Sequence, residues 1–388
     1  MKKILSVLIL IALMGIALVG CNQESSSKAE DPSAKSTTPL KNEGPLTINQ
    51  DIPGDQEILS KGPNGETAEP ALSLELTEEE IQKIQEGNYK AAIVMHYAGN
   101  DWATAQIDGL KAAFERMGIE VVAVTDAQFK PEKQLSDIET VLAKEPDIIV
   151  GIPVDAVSSA SAFKKAADAG VKVVFMDNVP NNLEAGKDYV SVVSADNYGN
   201  GIVAADIMAE QLGGKGKIGV IYHDADFFVT AQRVEAFEKT ITEKYPDIEI
   251  IARGGIANES DGDKVASGLL TTNPDLDGLF VVWDVPAEGA LAAVRTAGKE
   301  DLVITTIDLG ANVALNIAQG GNIKGLGAQL PYDQGVAEAI LAGYGLLGKE
   351  APAYVAVPSL KVTQENILDA WKLVYSKEAP QEIQNAAK

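Results

Sequence analysis

Cysteine is almost absent from this chain of 388 residues: Cys21 is the only one, so no disulfide can form within the chain. Histidine is nearly as scarce, and His96 and His223 lie far apart without a His-Glu-x-x-His pattern, which argues against a zinc site. The acidic stretch 258–263 lacks the ligand spacing of an EF-hand. The sequence therefore predicts no bound metal and no cofactor.

Positive charge is also in short supply, with 32 Lys and Arg residues against 56 Asp and Glu residues and a formal net charge of -24. Such a surface repels nucleic acid and anionic headgroups, so neither is expected as a partner. The glycine-rich run 213–217 lacks the spacing of a phosphate-binding loop and follows a helix, which predicts a turn. No Gly-x-Ser-x-Gly elbow is present, so the chain is predicted not to be an enzyme.

Long apolar runs are missing beyond the N-terminus. The run Ile4–Val19 follows Lys2 and Lys3 and is shorter than the roughly 20 residues that a spanning helix needs, which predicts a secretory signal peptide over residues 1–21. It ends in Leu18-Val-Gly-Cys21, which resembles the lipobox of bacterial lipoproteins. That resemblance implies a lipid on Cys21 and a protein anchored by it outside the cytoplasmic membrane.

Residues 22–72 are rich in Ser, Lys, Glu, Pro, Thr and Gly, with scattered apolar residues, and are predicted to form a flexible polar linker. The first helix is predicted to begin at Thr77, because Glu80 three residues later completes a capping-box pattern.

Short apolar segments then alternate with amphipathic helical segments, first from Ala91 to Met176 and again from Lys217 to Ala328. Strands that are apolar throughout and alternate with helices indicate parallel sheets covered on both faces. The predicted fold class is therefore α/β, with two doubly wound parallel-sheet lobes.

Ligands bind beyond the carboxyl ends of strands in such sheets, so the residues at those ends are the candidate site. They are carboxylates, amides, a histidine and indoles, which suit a hydroxyl-rich ligand: His96, Asn100, Trp102, Asp177, Asn178, Trp283, Asp284, Asp308 and Gln329. These residue types can also have purely structural roles. An Asp or Asn at a strand end often caps the next helix, a Trp can pack between lobes, and a His can be buried in the core.

An ordered series of short motifs runs through the chain: Gln134–Glu139, Pro153–Ala156, Ser194–Gly199, Gly213–Lys217, Thr305–Asp308 and Ala328–Pro331. Together these motifs resemble the ribose-binding-protein family, the sugar-binding components of ABC importers, and the resemblance extends from about residue 90 to residue 363.

The resemblance implies a type I periplasmic binding protein with three hinge crossings, near residues 194–195, 329–330 and 358–359. It divides the chain into an N-terminal lobe of residues 73–194 plus 330–359 and a C-terminal lobe of residues 195–329 plus 360–388. It also implies capture of a sugar or polyol by a monomer that delivers it to membrane permease subunits. A sensory role, feeding a chemoreceptor or sensor kinase, stays open.

The family's ligand contacts carry over to the strand-end residues only in part. Asp308 and Gln329 match, but the family's two arginines fall on Asn178 and Ala231, with Arg233 close to the second. The departure argues against ribose itself and favours a neutral polyhydroxylated molecule. An enzyme using Asp177 and Asp308 as acid and base is the weakest alternative.

Overall fold

The structure is a computed structural model, and it describes residue 40, residues 43–54 and residues 56–388. The predicted signal peptide, Cys21 and the first part of the predicted linker lie outside the described residues. Within the described part of the chain, no helix is both long enough and apolar enough to cross a membrane.

Strands and helices alternate along the chain. The strands are β1 Glu69–Pro70, β2 Lys90–Met95, β3 Glu120–Asp126, β4 Ile148–Gly151, β5 Lys172–Met176, β6 Ser191–Ala195, β7 Gly216–His223, β8 Ile248–Ile256, β9 Gly278–Val281, β10 Val303–Ile307, β11 Ile323–Ala328, β12 Tyr354–Val357 and β13 Leu360–Thr363. The α-helices are α1 Glu78–Gln85, α2 Asp101–Arg116, α3 Pro131–Leu142, α4 Ala160–Asp168, α5 Asn197–Leu212, α6 Phe228–Lys244, α7 Gly262–Thr272, α8 Asp284–Thr296, α9 Ala311–Ala318, α10 Pro331–Leu347, α11 Ile367–Tyr375 and α12 Gln381–Ala386.

The described residues form two sheets, one in each lobe. The first has the order β1-β12-β6-β5-β4-β2-β3 and the second the order β13-β11-β10-β9-β7-β8. Pairing is parallel except between β11 and β13. Consecutive residues such as Ile93 and Val94 are both fully buried, because helices cover both faces of the sheet. The predicted fold class is confirmed.

The chain passes between the lobes three times. It leaves the first sheet after β6 to form α5, which packs on β10 and β11 of the second sheet. It returns after β11 to form α10, which packs on α2 and β5 of the first lobe, and it crosses again between β12 and β13. The three predicted hinge crossings are therefore present.

Helices α2 and α10 approach each other backbone to backbone in the first lobe. A Cβ atom at Gly109 would lie 2.1 Å from the carbonyl oxygen of Tyr332, and one at Gly335 would lie 2.3 Å from that of Gln106. Contacts this short are excluded for real side chains, so both positions require glycine. The close approach fixes α10, and with it the hinge crossing that precedes it, against the first lobe.

The segment before α1 differs from the sequence prediction. Leu46, Ile48 and Ile52 are buried in the first lobe's core, Leu46 forms an antiparallel bridge with Leu76, and β1 joins the sheet beside β12. The described part of the predicted flexible linker is therefore packed, and residues 43–76 are called the arm below. The composition of this segment predicted flexibility because its apolar residues are few and widely spaced. Leu46, Ile48 and Ile52 are nevertheless each buried in the core.

Candidate ligand-binding cleft

A cavity lies between the lobes at the carboxyl ends of the strands and encloses about 510 Å³ of empty space, part of it open to solvent. Fifteen residues from both lobes line the cavity: His96, Tyr97, Asn100, Trp102, Phe129, Ile152, Asp177, His223, Phe227, Val229, Thr230, Arg233, Trp283, Asp308 and Gln329.

Two aspartates face this cavity from equivalent places, one in each lobe. Asp177 directly follows β5 and Asp308 directly follows β10, and both have left-handed backbone conformations, with φ of 55° and 70°. Left-handed φ is uncommon outside glycine and concentrates at functional sites, where the surrounding fold supports the strain. The two strand ends therefore turn sharply and present their carboxylates to the same space.

Arg233, on α6, organises the floor of the cavity in the second lobe. Its Nη1 lies 3.2 Å from Asp308 Oδ2 and donates to the carbonyl oxygen of Val282 at 3.2 Å. The side-chain amide of Gln329 donates to the other oxygen of Asp308 at 2.7 Å. The ion pair is almost fully buried, so each charge depends on the other and on these hydrogen bonds.

The polar network continues from Arg233 into the first lobe. Arg233 Nε donates to Asn197 Oδ1 at 2.8 Å, and Asn197 Nδ2 donates to Ser194 Oγ at 3.0 Å. Ser194 Oγ donates in turn to Asp177 Oδ1 at 2.7 Å. Because Ser194 and Asn197 stand on either side of the first hinge crossing, one chain of hydrogen bonds links the aspartates of both lobes through the hinge.

Burial shifts the protonation equilibria of the groups that line the cavity. It raises the pKa of Asp177 to about 6, opposed by the hydrogen bond from Ser194. It lowers the pKa of His96 to about 3, helped by the charge of His223. Burial likewise lowers the pKa of His223, with Arg233 adding to the effect. Near neutral pH, His96 is therefore uncharged.

Aromatic rings form the walls on both sides. His96 of the first lobe stacks on Phe227 of the second, with ring centroids 6.0 Å apart and planes within 14°. Tyr97 stacks on Phe129 at 4.3 Å, and His223 meets Trp283 edge-on at 5.2 Å. These faces suit the apolar C–H surfaces of a ring-shaped or extended polyol.

Several buried polar atoms that belong to the lining residues have no hydrogen-bond partner among the described residues. They are two donors, the indole nitrogens of Trp102 and Trp283, and two nitrogen or oxygen atoms that can accept, His96 Nδ1 and Gln329 Oε1. Unpartnered buried polar groups cost free energy unless something satisfies them. A hydroxyl group both donates and accepts, so it matches this mixture.

Eight of the ten ligand-binding residues predicted from the sequence line this one cavity, and the other two do not. Asn178 is buried beside Asp177 but is not part of the lining. Asp284 begins α8, where its carboxylate accepts the amide of Val285 at 2.8 Å, and it borders a neighbouring cavity with Glu288. Each of them directly follows a residue that does line the cavity, Asp177 and Trp283 respectively.

The other residues that line the cavity were not predicted from the sequence as ligand-binding residues. Tyr97 follows His96 after β2 and His223 ends β7, whereas Phe129 and Phe227 lie in the loops after β3 and β7. Aromatic residues in loops at the same edge of the sheets are the signal that would have found the last two. Asn100, which was predicted, caps α2 by accepting the amide of Ala103 at 2.8 Å and donates to Tyr97 at 2.6 Å.

Comparison with known proteins identifies a family that this chain matches. A family described as "Periplasmic binding protein domain" matches residues 72–350. The chain is 27% identical over 263 residues to the ribose import binding protein of Salmonella typhimurium, covering 68% of this chain and 86% of that protein. It is 26% identical to a xylitol-binding protein of Mycolicibacterium smegmatis, covering 70% of this chain and 76% of the other.

Solved structures agree with this likeness. A periplasmic solute-binding protein of an ABC transporter from Actinobacillus succinogenes, with bound D-allose, superposes with a TM-score of 0.66 at 26% identity, covering 72% of this chain and 99% of the other. A solute-binding protein from Bacillus halodurans with bound myo-inositol has the same TM-score at 19% identity, which shows likeness of fold alone.

Proposed function

This chain belongs to the periplasmic binding protein domain family, and from that premise we propose that it captures a sugar or sugar-like polyol between its two lobes for an ABC importer. The observation that carries the proposal is the cavity at the strand ends, where two aspartates, one from each lobe, share a single hydrogen-bonded network. Relatives in this family bind ribose and xylitol.

Capture works through closure of the lobes about the three crossings. The lobes already touch across the cleft: the amide of Ala311 donates to Asp101 Oδ2 at 2.7 Å, and His96 stacks on Phe227. A ligand that bonds to Asp177 and Trp102 on one side and to Trp283 and Asp308 on the other stabilises only the closed arrangement. Binding energy shared by both lobes therefore drives closure.

The charge balance of the cavity favours a neutral ligand. Arg233 is the guanidinium in the lining, and the Asp308 carboxylate neutralises it. The family's other arginine position next to Asp177 holds Asn178 here. A phosphorylated sugar needs unpaired positive charge or a nest of amides, so the substrate class is an uncharged sugar, polyol or cyclitol.

Binding without catalysis fits the same contacts. Both oxygens of Asp308 are engaged, one by Arg233 and one by Gln329, and Asp177 accepts from Ser194. Both aspartates are therefore already engaged as hydrogen-bond acceptors within the protein. We propose that the chain has no enzymatic activity, acts as a monomer and hands its cargo to membrane permease subunits.

A ligand panel tests the proposed substrate class. Chain starting after Cys21 is mixed with pentoses, hexoses, polyols and cyclitols, with amino acids as controls, while melting temperature and tryptophan fluorescence are followed. We expect one uncharged polyhydroxylated compound to raise the melting temperature and change the indole emission, because Trp102 and Trp283 line the cavity. Binding of an amino acid instead would contradict the substrate class.

Lipid anchoring at Cys21 is the second part of the proposal, and it rests on the lipobox resemblance alone. We expect a Cys21→Ser chain, expressed in a bacterium, to leave the membrane fraction, because no thiol remains to take the diacylglycerol. Asn22→Ser in the same chain is the matched control and stays with the membrane. Membrane retention of Cys21→Ser at the wild-type level would contradict anchoring by this residue.

A further inference from the structure

The arm reaches the hinge as well as the core of the first lobe. It is fixed to that lobe by β1 beside β12 and by the amide of Asn49, which donates to Asp333 Oδ1 at 2.8 Å, while the bridge between Leu46 and Leu76 joins its two ends. Between these points, Lys61 and Thr67 pair across a turn. Ser60, immediately before that turn, is 1% exposed and lies against the first hinge crossing.

Ser60 holds the start of α5 with two hydrogen bonds. Its amide donates to Asp196 Oδ1 at 2.9 Å, and its Oγ accepts the amide of Tyr198 at 2.9 Å. Asp196 is itself the N-cap of α5 and accepts the amide of Gly199 at 3.0 Å. The first turn of the helix that enters the second lobe is therefore capped by two residues, one of them 136 positions away in the sequence.

Asn197 lies between Asp196 and Tyr198, the two residues that Ser60 contacts, and it is the central residue of the hydrogen-bond network in the cleft. Its side chain bonds Arg233 on one side and Ser194 on the other, and through them Asp308 and Asp177. Any shift of the first turn of α5 moves Asn197 and disturbs both aspartates. The arm also touches the second lobe directly, because Gln232, next to Arg233, donates to the carbonyl oxygen of Lys61 at 3.4 Å.

We infer that the arm is a fourth hinge element, and that Ser60 is a positioning residue through which it holds the lobes in the closed arrangement. The three chain crossings set the axis of rotation, and Ser60 adds a contact anchored in the first lobe and bonded to the first helix of the second. The inference rests on the proposed function for its effect on ligand affinity, but its effect on lobe geometry is independent of any ligand.

The test measures lobe separation in the chain that starts after Cys21, which then contains no cysteine. Spin labels are attached at Lys130→Cys in the first lobe and Ser260→Cys in the second, two exposed positions near the cleft. The distance between the two labels is measured by pulsed electron paramagnetic resonance. We expect Ser60→Ala to shift the ligand-free distribution to longer distances, because the amide of Tyr198 loses its acceptor. Affinity for the compound found in the ligand panel falls by roughly five- to tenfold, the equivalent of one hydrogen bond.

Matched variants separate positioning from general stability. Ser73→Ala removes a hydroxyl of the same arm that bonds only the carbonyl of Pro70, and it leaves distance and affinity unchanged. Ser60→Thr keeps the hydroxyl and restores the wild-type distance. If Ser60→Ala does not fold, Gln232→Met removes the arm's contact with α6 and shifts the distance the same way.

A lower melting temperature of Ser60→Ala with wild-type lobe distances would overturn the inference, because the arm would then only stabilise the first lobe. If no compound in the panel binds, the proposed function fails while the ligand-free distances still decide the role of the arm.

Discussion

Replacing Asp308 with asparagine is expected to weaken ligand binding by at least about 100-fold, or about 3 kcal/mol. Asparagine keeps the shape of the side chain but removes the charge that faces Arg233 at 3.2 Å. The guanidinium, 3% exposed, is then left in the cavity without its counter-ion, and Gln329 loses the carboxylate that orients it. A cavity with unpaired positive charge and a misplaced amide no longer matches neutral hydroxyl groups.

Calorimetric titration of the panel compound measures this loss, and circular dichroism shows that the fold is kept. Asp301→Asn, an exposed aspartate of the same lobe, is the matched control and binds like the wild type. The structure makes asparagine the better choice at Asp308, because alanine would also open a cavity beside the buried Arg233. Wild-type affinity of Asp308→Asn would remove Asp308 from the site.

Gly109→Val is expected to lower the free energy of unfolding by about 3 kcal/mol or more. Its Cβ would lie 2.1 Å from the carbonyl oxygen of Tyr332, which is backbone and cannot rotate away. Helices α2 and α10 must separate to admit the side chain, and their separation opens the core and displaces the second hinge crossing, which α10 directly follows. Urea unfolding followed by circular dichroism measures the change.

Gly268→Ala is the control for this substitution, because nothing lies within 4 Å of a Cβ atom at that position in α7. We expect it to stabilise the protein by roughly 0.5–1 kcal/mol, since alanine restricts the unfolded chain more than glycine does and favours the helix. A Gly109→Val protein as stable as the wild type would mean that the two helices are not in backbone contact.

The parts of this protein that follow from local pattern could be predicted from its sequence. Uninterrupted apolar segments such as 91–95 indicated buried parallel strands, and the strand ends then located Asp177, Trp283 and Asp308. Parallel strands bring their carboxyl ends to one edge of a sheet by construction, so the order of strands and helices was enough to place these side chains at that edge. The resemblance to sugar-binding components of importers led to the family that the comparison shows.

The remainder depends on contacts between distant segments, which no local pattern records. Ser60 and Asp196 are 136 residues apart, and nothing around Ser60 distinguishes it from other serines of a polar stretch. Asn197 and Ser194 belong to a motif noted in the sequence, but nothing in that motif indicates that their side chains join the two aspartates through the hinge. Phe227 reaches His96 only because the lobes face each other.

The position of β1 at the edge of the first sheet also constrains the order in which the protein folds. Its neighbour in the sheet is β12, which in turn pairs with β6. The first of these three strands to be synthesised, β1, therefore pairs with one of the last strands of the chain, β12. The chain is synthesised from its N-terminus, and the arm has no strand to bind until residues 354–357 have been made and have joined the sheet. Residues 195–329 of the second lobe are thus synthesised before the first lobe can be completed, and the arm docks in a late step of folding, because its contacts join residues far apart in the sequence.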